Sequence, residues 1–531
     1  MQKPRRDFLK YATVGAAGAF VPLGIGAQPT PSAPPVHGSI YDVRAFGATG
    51  DGHAVDSPAI NKAIETAALA GGGTVLFPAG TYASFSIRLK SNIALYLSQG
   101  ATILAAETPA SGNEGYDPAE SNAPWENYQD FGHNHWHNSL IWGEDLHNVT
   151  ICGPGLIYGK GLSRGWSTEA PLAESPRVGN KAIALKNCCN VILRDFSILK
   201  GGHFGILATG VDNFTIDNLK IDTNRDGMDI DCCKNVRISN CSVNSPWDDG
   251  ICPKSSYALG YARATENVTI TNCYVTATYE LGSLLDGTFK KFPPTQRAPY
   301  TGRIKCGTES NGGFKNITIS NCVFEGCGGL ALESVDGALL EDIAITNITM
   351  RDIRNTPIFV RLGSRMRGPA GVPVGNARRI LFSNIVSYNS ASHQAVLISG
   401  IPGHPIEDLK FSNLYLHHQG GGTAEMAALQ VPEKENGYPE PNMFGPLPAH
   451  GFYLRHVNNV ELTNIEIAYE KPDARPAFVL DDVHEADFFR IRLPKDGPSS
   501  TFRLNDVSDF RIFGSAKIKD KSVESTQSES F

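Results

Sequence analysis

Asn267-Val268-Thr269-Ile270-Thr271-Asn272 is the stretch that decides the fold, because it recurs along the chain. The same six-residue shape returns, with variation, at Asn213–Asn218, Asn235–Asn240, Asn316–Asn321, Asp342–Asn347, Arg379–Asn384, Asp408–Asn413 and Asn459–Asn464. Each copy alternates apolar with polar residues and closes on Asn, so each reads as a short strand with one face turned inward. Asn218 and Asn240, the closest closing pair, stand 22 positions apart. A period of about 20–30 residues carrying a strand per unit is the mark of a β-solenoid. Equivalent positions on successive coils then lie about 4.8 Å apart, close enough for asparagine side chains to hydrogen-bond up the stack. Leucine-rich repeats share this period, but leucine is not the residue that recurs here. The expected fold is therefore all-β: a single-stranded, right-handed parallel β-helix.

The rest of the chain is organised around that repeat. Its 531 residues would ordinarily fill two or three compact domains, but a solenoid grows by adding coils, so one domain is expected over residues 39–515. Asp56-Ser57-Pro58 opens a short capping helix, with Ser57 as its cap and Pro58 at its first position. Ile60, Ala63, Ile64 and Ala67 form its apolar face, and Gly71-Gly72-Gly73 ends it. Arg5-Arg6-Asp7-Phe8-Leu9-Lys10, before an uncharged Ala/Gly-rich run to Gly26, resembles a bacterial twin-arginine (Tat) export signal over residues 1–27. A periplasmic or secreted location follows from it. Residues 28–38 read as a Pro-rich linker, and residues 516–531, rich in Ser, Lys and Glu, as a disordered tail.

A net charge of −7 offers no counterion gain to nucleic acid or to an anionic membrane, and both are excluded as main partners. No stretch beyond the leader approaches the roughly 18 apolar residues of a membrane span. Of the 11 cysteines, Cys241, Cys273 and Cys322 each follow an Asn at one place in the repeat, as small buried fillers do. No Cys-x-x-Cys pair supports zinc, and neither a metal nor a cofactor is expected. Asn148, Asn213, Asn267, Asn316 and Asn347 fit the Asn-x-Thr pattern, but they read as repeat consensus rather than glycan sites.

The chemistry-bearing residues follow from the register. Asp226 lies eight residues after Asn218, and Asp248 eight after Asn240. If the asparagines stack, Asp226 lies one coil below Asp248, with Asp249 beside it. Carboxylates about 4.8 Å apart cannot all ionise cheaply, so one should hold its proton. A protonated acid beside an ionised one is what glycoside hydrolysis requires. A calcium site or a solvated acidic edge are the bland alternatives. Trp247, just before the acid pair, reads equally as a sugar-stacking platform or as core.

Asn224-Arg225-Asp226-Gly227 resembles the Asn-Thr-Asp-Gly motif of glycoside hydrolase family 28, the polygalacturonases. Asp248-Asp249-Gly250-Ile251-Cys252-Pro253-Lys254-Ser255 resembles that family's Asp-Asp-x-Ile-x-x-Lys-Ser motif, and the likeness runs from about Asp42 to about Leu362. The resemblance implies a pectin-lyase-like solenoid acting as an inverting hydrolase on a pectic polysaccharide. Asp248 would be the general acid, Asp226 and Asp249 would hold and deprotonate the water, and Asn224 and Lys254 would support or bind substrate. A monomer is expected.

The departures bear on substrate recognition. The family's Gly-His-Gly register reads Ala277-Thr278-Tyr279-Glu280-Leu281-Gly282, and the later stretch Gly302-Arg303-Ile304-Lys305-Cys306-Gly307-Thr308-Glu309 also lacks the histidine. The family's Arg-Ile-Lys clamp for a uronate carboxylate maps best to Ala331-Leu332-Glu333; alternatively Arg303 and Lys305 are that clamp, shifted. The favoured mapping replaces cations by Glu280 and Glu333 and weakens carboxylate binding, so a rhamnogalacturonan-type substrate is as well supported as polygalacturonan. Glu309 joins the expected substrate-contacting set. His133, His135 and His137 alternate and would share one face of a strand; a sugar cleft or a structural role suits them better than a metal, with His135 taken as the sugar contact. Two long inserts, Ser283–Tyr300 and Gln419–His450, can close the cleft. A pectate-lyase-like enzyme and a non-catalytic carbohydrate-binding solenoid are the rival readings.

Overall fold

A computed structural model describes residues 39–165, 174–296, 298–391, 395–494 and 500–531. The leader and linker expected at residues 1–38 lie outside them. The described strands form a right-handed parallel β-helix in which each strand pairs with its counterpart on the next coil. One face is built by β1 (Phe204–Thr209), β2 (Asp226–Asp231), β3 (Ile251–Lys254), β4 (Ile304–Cys306), β5 (Leu330–Ser334) and β6 (Ile358–Leu362). The ladder runs in order from β1 to β6, all parallel.

Alternation explains the core. Ile206, Met228, Ile251, Ile304, Leu330 and Ile358 stand in one column, each fully or almost fully buried. The recurrent hexapeptides supply another: Val191, Phe214, Val236, Val268, Ile317, Ile343 and Ile380. Each such side chain contributes about 1.5–3 kcal/mol when withdrawn from water. The intervening residues of β1 to β6 point outward and line the face that carries the acids.

The asparagines have two jobs. Asn213, Asn218, Asn235, Asn240, Asn267 and Asn272 all sit at φ between 52° and 58°. Asparagine tolerates this left-handed region where β-branched residues do not, so it turns the corner between strands. Their amides then form ladders: Asn190 to Asn148, Asn213 to Asn190, Asn235 to Asn213, Asn267 to Asn235 and Asn316 to Asn267, at 2.8–3.2 Å. The expected stacking is present, and it extends to the asparagines that open the hexapeptides as well as those that close them.

Both ends differ in detail from the sequence reading. Helix α1 (Ser57–Leu69) buries Ile60, Ala63, Ile64 and Ala67 as expected. Ser57 is inside the helix, however, and its hydroxyl accepts the Phe85 N–H at 2.8 Å. Asp56 occupies the cap position and accepts instead from Thr49 and Gly50, so tertiary partners displaced local capping. At the far end, residues 516–531 are not a disordered tail. Lys521–Ser530 is a strand paired antiparallel with Phe502–Phe513, and the Phe531 ring stacks on Phe502 with centroids 5.2 Å apart. The last coil offers an open edge of backbone donors and acceptors, which this polar strand covers. All cysteines are free, and all but Cys152 and Cys189 are buried. Among the described residues, no helix is long and apolar enough to cross a membrane.

Candidate active site

The acids meet on the outer face, with a register the repeat did not foretell. Asp222 pairs with Asn244, 22 residues on, but Met228 pairs with Ile251, 23 on. One extra residue enters between Ser245 and Gly250. Consequently Asp249, not Asp248, is the residue stacked on Asp226: its N–H donates to Asp226 Oδ1 at 3.2 Å. Asp248 sits one residue outward and keeps 23% of its side-chain surface exposed. Carboxylate oxygens of Asp226, Asp248 and Asp249 lie within 4.8 Å of one another.

The acids differ electrostatically. Burial, together with Asp229, Asp248 and Asp249, pushes the Asp226 carboxyl well above its ordinary range. Burial acts on Asp249 as well, but Arg303 and Lys305 hold it well below the usual carboxylate range. Arg303 Nε and Lys305 Nζ each approach Asp249 at 2.7 Å, with all three side chains buried. Asp226 therefore holds a proton that Asp249 has given up.

These contacts correct the expected position of the cations. Glu333 does lie on β5, where the family clamp was mapped. Yet the positive charge comes from Arg303 and Lys305 on the coil between, one rung above Asp249. Cations are thus retained beside the acids, although both are committed to Asp249. Glu333 is fully buried with both carboxylate oxygens unpartnered. Burial, with Glu440 and Asp249 against Lys305 and Arg303, pushes it up to about 8.

Around this centre lies a second buried network. Lys254 Nζ pairs with Glu309 at 3.1 Å and lies 3.8 Å from Asp229. His133 Nε2 bonds Asp229 Oδ2 at 3.0 Å. Burial opposes charge on His133, but Glu309 and Asp229 drive it up to about 8. A histidine therefore reaches the site from the loop before Ser139, although the family's own histidine position carries none. Asn224, beside Asp226, has its Oδ1 buried without a partner.

Two expected contacts are not brought in. Glu280 pairs with Lys290 across the first insert at 2.8 Å. His135 bonds Glu174 at 2.8 Å and faces Glu126 at 3.8 Å. His133 lies on a turn and His135 and His137 in the irregular loop after it rather than on a strand, so they diverge, with His137 on Glu144. Trp247 is half-buried, its edge against Phe292 and the Arg164 guanidinium over its face. It therefore packs under the inserted loop.

Several site residues escaped the sequence reading. Arg225, where the family motif has Thr, donates two hydrogen bonds to Asp248 Oδ2, at 2.5 and 3.1 Å. Asp229 follows Asp226 within an alternating strand, and an outward acid beside the motif was the available signal. Glu440, from the second insert, grips Arg303 with two bonds at 2.7 and 2.8 Å. Tyr438 accepts from Thr308 and donates to Asp130 Oδ2 at 3.2 Å, and Arg367 also holds Asp130. This latch joins four loops across the face beside Lys305. No local pattern announced Tyr438 or Glu440.

The triad oxygens are close enough together to hold a cation. Arg225, Arg303 and Lys305 already neutralise two of the three acids, which leaves little charge for one.

A family model described as rhamnogalacturonase A/epimerase, pectate lyase-like, matches residues 40–252. A probable polygalacturonase of Vitis vinifera is 23% identical over 401 residues, covering 70% of this chain and 73% of that protein. The exopolygalacturonase of Thermotoga maritima superposes with TM-score 0.56 at 18% identity, covering 82% of this chain and 92% of that one. The family 28 exopolygalacturonase of Yersinia enterocolitica gives TM-score 0.59 at 17% identity, covering 86% and 79%. The two solved structures establish the parallel β-helix, and the sequence likeness is to a polygalacturonase.

Proposed function

We propose that this polygalacturonase-like chain is a glycoside hydrolase that cleaves a uronate-containing pectic polysaccharide, of polygalacturonan or rhamnogalacturonan type. The observation that carries the reading is the opposed state of two stacked acids: Asp226 protonated by burial and its acidic neighbours, Asp249 ionised by Arg303 and Lys305. Hydrolysis needs one carboxyl that donates and one that activates water. Asp248, the most exposed of the three, relays the Asp226 proton to the leaving oxygen. Asp249, the ionised acid, deprotonates the water, which Asp226 helps to orient. The Tyr438–Asp130 latch beside the acids supports action on chain ends or short oligosaccharides. The twin-arginine start supports export of the chain.

The nearest triad oxygens lie within 4.8 Å. That is tighter than the roughly 6.5–9.5 Å by which inverting glycosidases set their acids on opposite sides of the ring. The inverted product implied by the family resemblance is accordingly tested first, by following the anomer initially released with proton NMR. The function itself is tested with Asp248→Asn on polygalacturonate beside rhamnogalacturonan. Reducing ends should appear with the wild-type protein, survive EDTA, and fall by at least about 10³-fold in the variant. A product carrying an unsaturated uronate, or turnover lost to EDTA, identifies a lyase instead. A variant that turns over like the parent identifies a binding solenoid.

A further inference from the structure

Three backbone hydrogen bonds lead away from the acids along the coil axis. Gly302 N–H donates to Asp248 O at 2.8 Å, Gly328 N–H to Thr301 O at 2.6 Å, and Arg354 N–H to Cys327 O at 2.8 Å. Each bond crosses one rung, so Arg354 stands about 14 Å from Asp248. Along this path opens a cavity of about 370 Å³ whose walls include Tyr300, Thr301, Arg303, Arg354, Asn355 and Asn442. It shares a wall with the active site at Arg303, whose guanidinium bonds Asp249 on one side and Glu440 on the other.

The chemistry of the walls is uneven. Arg303 and Lys305 are spent on Asp249, and Arg303 on Glu440 as well, so neither is free to take a sugar carboxylate. Arg354 is exposed, and among the described residues it has no carboxylate partner; its guanidinium lies 5.2 Å over the Tyr300 ring. Cation–π contact of this kind fixes the plane of the guanidinium while leaving its donors available. Among the described residues, the side chains of Thr301, Asn355 and Asn442 also make no hydrogen bond, so hydroxyl and amide groups face the cavity unspent. An aromatic ring, two amides, a hydroxyl and an unpaired guanidinium are the groups a charged sugar needs.

We infer that this cavity is a subsite for a second uronate ring, more than one sugar away from the bond that is cut, with Arg354 donating to both oxygens of the ring's carboxylate in a bidentate pair. The inference rests on the hydrolase reading above and names where that substrate's negative charge is recognised. It also gives both inserts a purpose: Tyr300 closes the first and Asn442 belongs to the second. An arginine–carboxylate fork suits this geometry better than a lysine would, because the planar donors match the two oxygens.

The test uses the Asp248→Asn protein, so that ligand is bound without being consumed. Calorimetry compares a defined oligogalacturonate with the same oligosaccharide after its carboxyls are reduced to alcohols. Adding Arg354→Ala should weaken the acidic ligand by about 10-fold or more, and the reduced one by less than about 2-fold. Arg354→Lys should recover part of the loss, and the salt dependence of binding should shrink in Arg354→Ala. Equal losses for both ligands, or no loss for the acidic one, overturn the subsite. Wild-type turnover of the same oligosaccharide reports separately: Arg354-dependent binding without cleavage would remove the hydrolase and keep the subsite. Cleavage with Arg354-indifferent binding would do the reverse. Failure of the Asp248→Asn protein to bind either ligand overturns both.

Discussion

Asp226→Asn and Asp249→Asn should both abolish turnover, yet they should move stability by very different amounts. Asp249 accepts Arg303 and Lys305 at 2.7 Å each, with side chains 1%, 4% and 4% exposed. Removing its charge strands two buried cations, a class of change that costs about 3–5 kcal/mol. Glu440 still holds Arg303, so the lower end of that range, about 3 kcal/mol, is expected. Asp226 is the opposite case, because it is already neutral over the acid range. An asparagine keeps the oxygen that accepts the Asp249 N–H, so the loss should be about 0–1 kcal/mol. The pH dependence has a definite sign. A carboxyl whose folded pKa is raised gives stability that is complete below its unfolded pKa and drains away as pH rises. Asp226→Asn should therefore gain on the wild type from about pH 4 upward. Urea unfolding followed by far-ultraviolet circular dichroism, in one buffer per pH, measures this. Midpoints are the safe comparison, since long repeat arrays unfold with reduced cooperativity. If Asp226→Asn is destabilised as much as Asp249→Asn, or loses ground as pH rises, the assignment of proton and charge is wrong.

Glu333 offers a second titration. Its folded value of about 8 against an unfolded value near 4.5 means stability is lost as pH climbs through that window. At pH 7 the accumulated cost is about 3 kcal/mol, and Glu333→Gln should flatten the stability profile between pH 4.5 and 8; an unchanged slope would refute it. The corners give a backbone prediction. Asn267 sits at φ 58° and links Asn235 to Asn316 in the ladder. Asn267→Gly should lose about 1 kcal/mol of ladder bonding, while Asn267→Ala should lose about 1–2 kcal/mol more for its left-handed backbone. Thermal melts in which alanine matches or exceeds glycine would show that the corner imposes no such conformation.

How much was legible beforehand depended on the range of each interaction. Period-two alternation and asparagine at fixed spacing are properties of a few consecutive residues. The hexapeptide at Asn267–Asn272 was therefore enough to give the coil, its inward columns and the outward face bearing the acids. Two acidic motifs, one coil apart, then had to converge. The single residue inserted between Ser245 and Gly250 changed which acid does so, because coil length is set by how that corner packs. The charges beside Asp249 were likewise a tertiary decision. Arg303 and Lys305 lie 54 and 56 positions further on, and Tyr438 and Glu440 arrive from an insert with no repeat to index it. The polar C-terminal strand followed the same logic, since its partner is the open edge of the last coil and not anything in its own sequence. Local pattern fixes which way a side chain points. Which charge it meets depends on loop lengths and packing, and only the folded chain decides those.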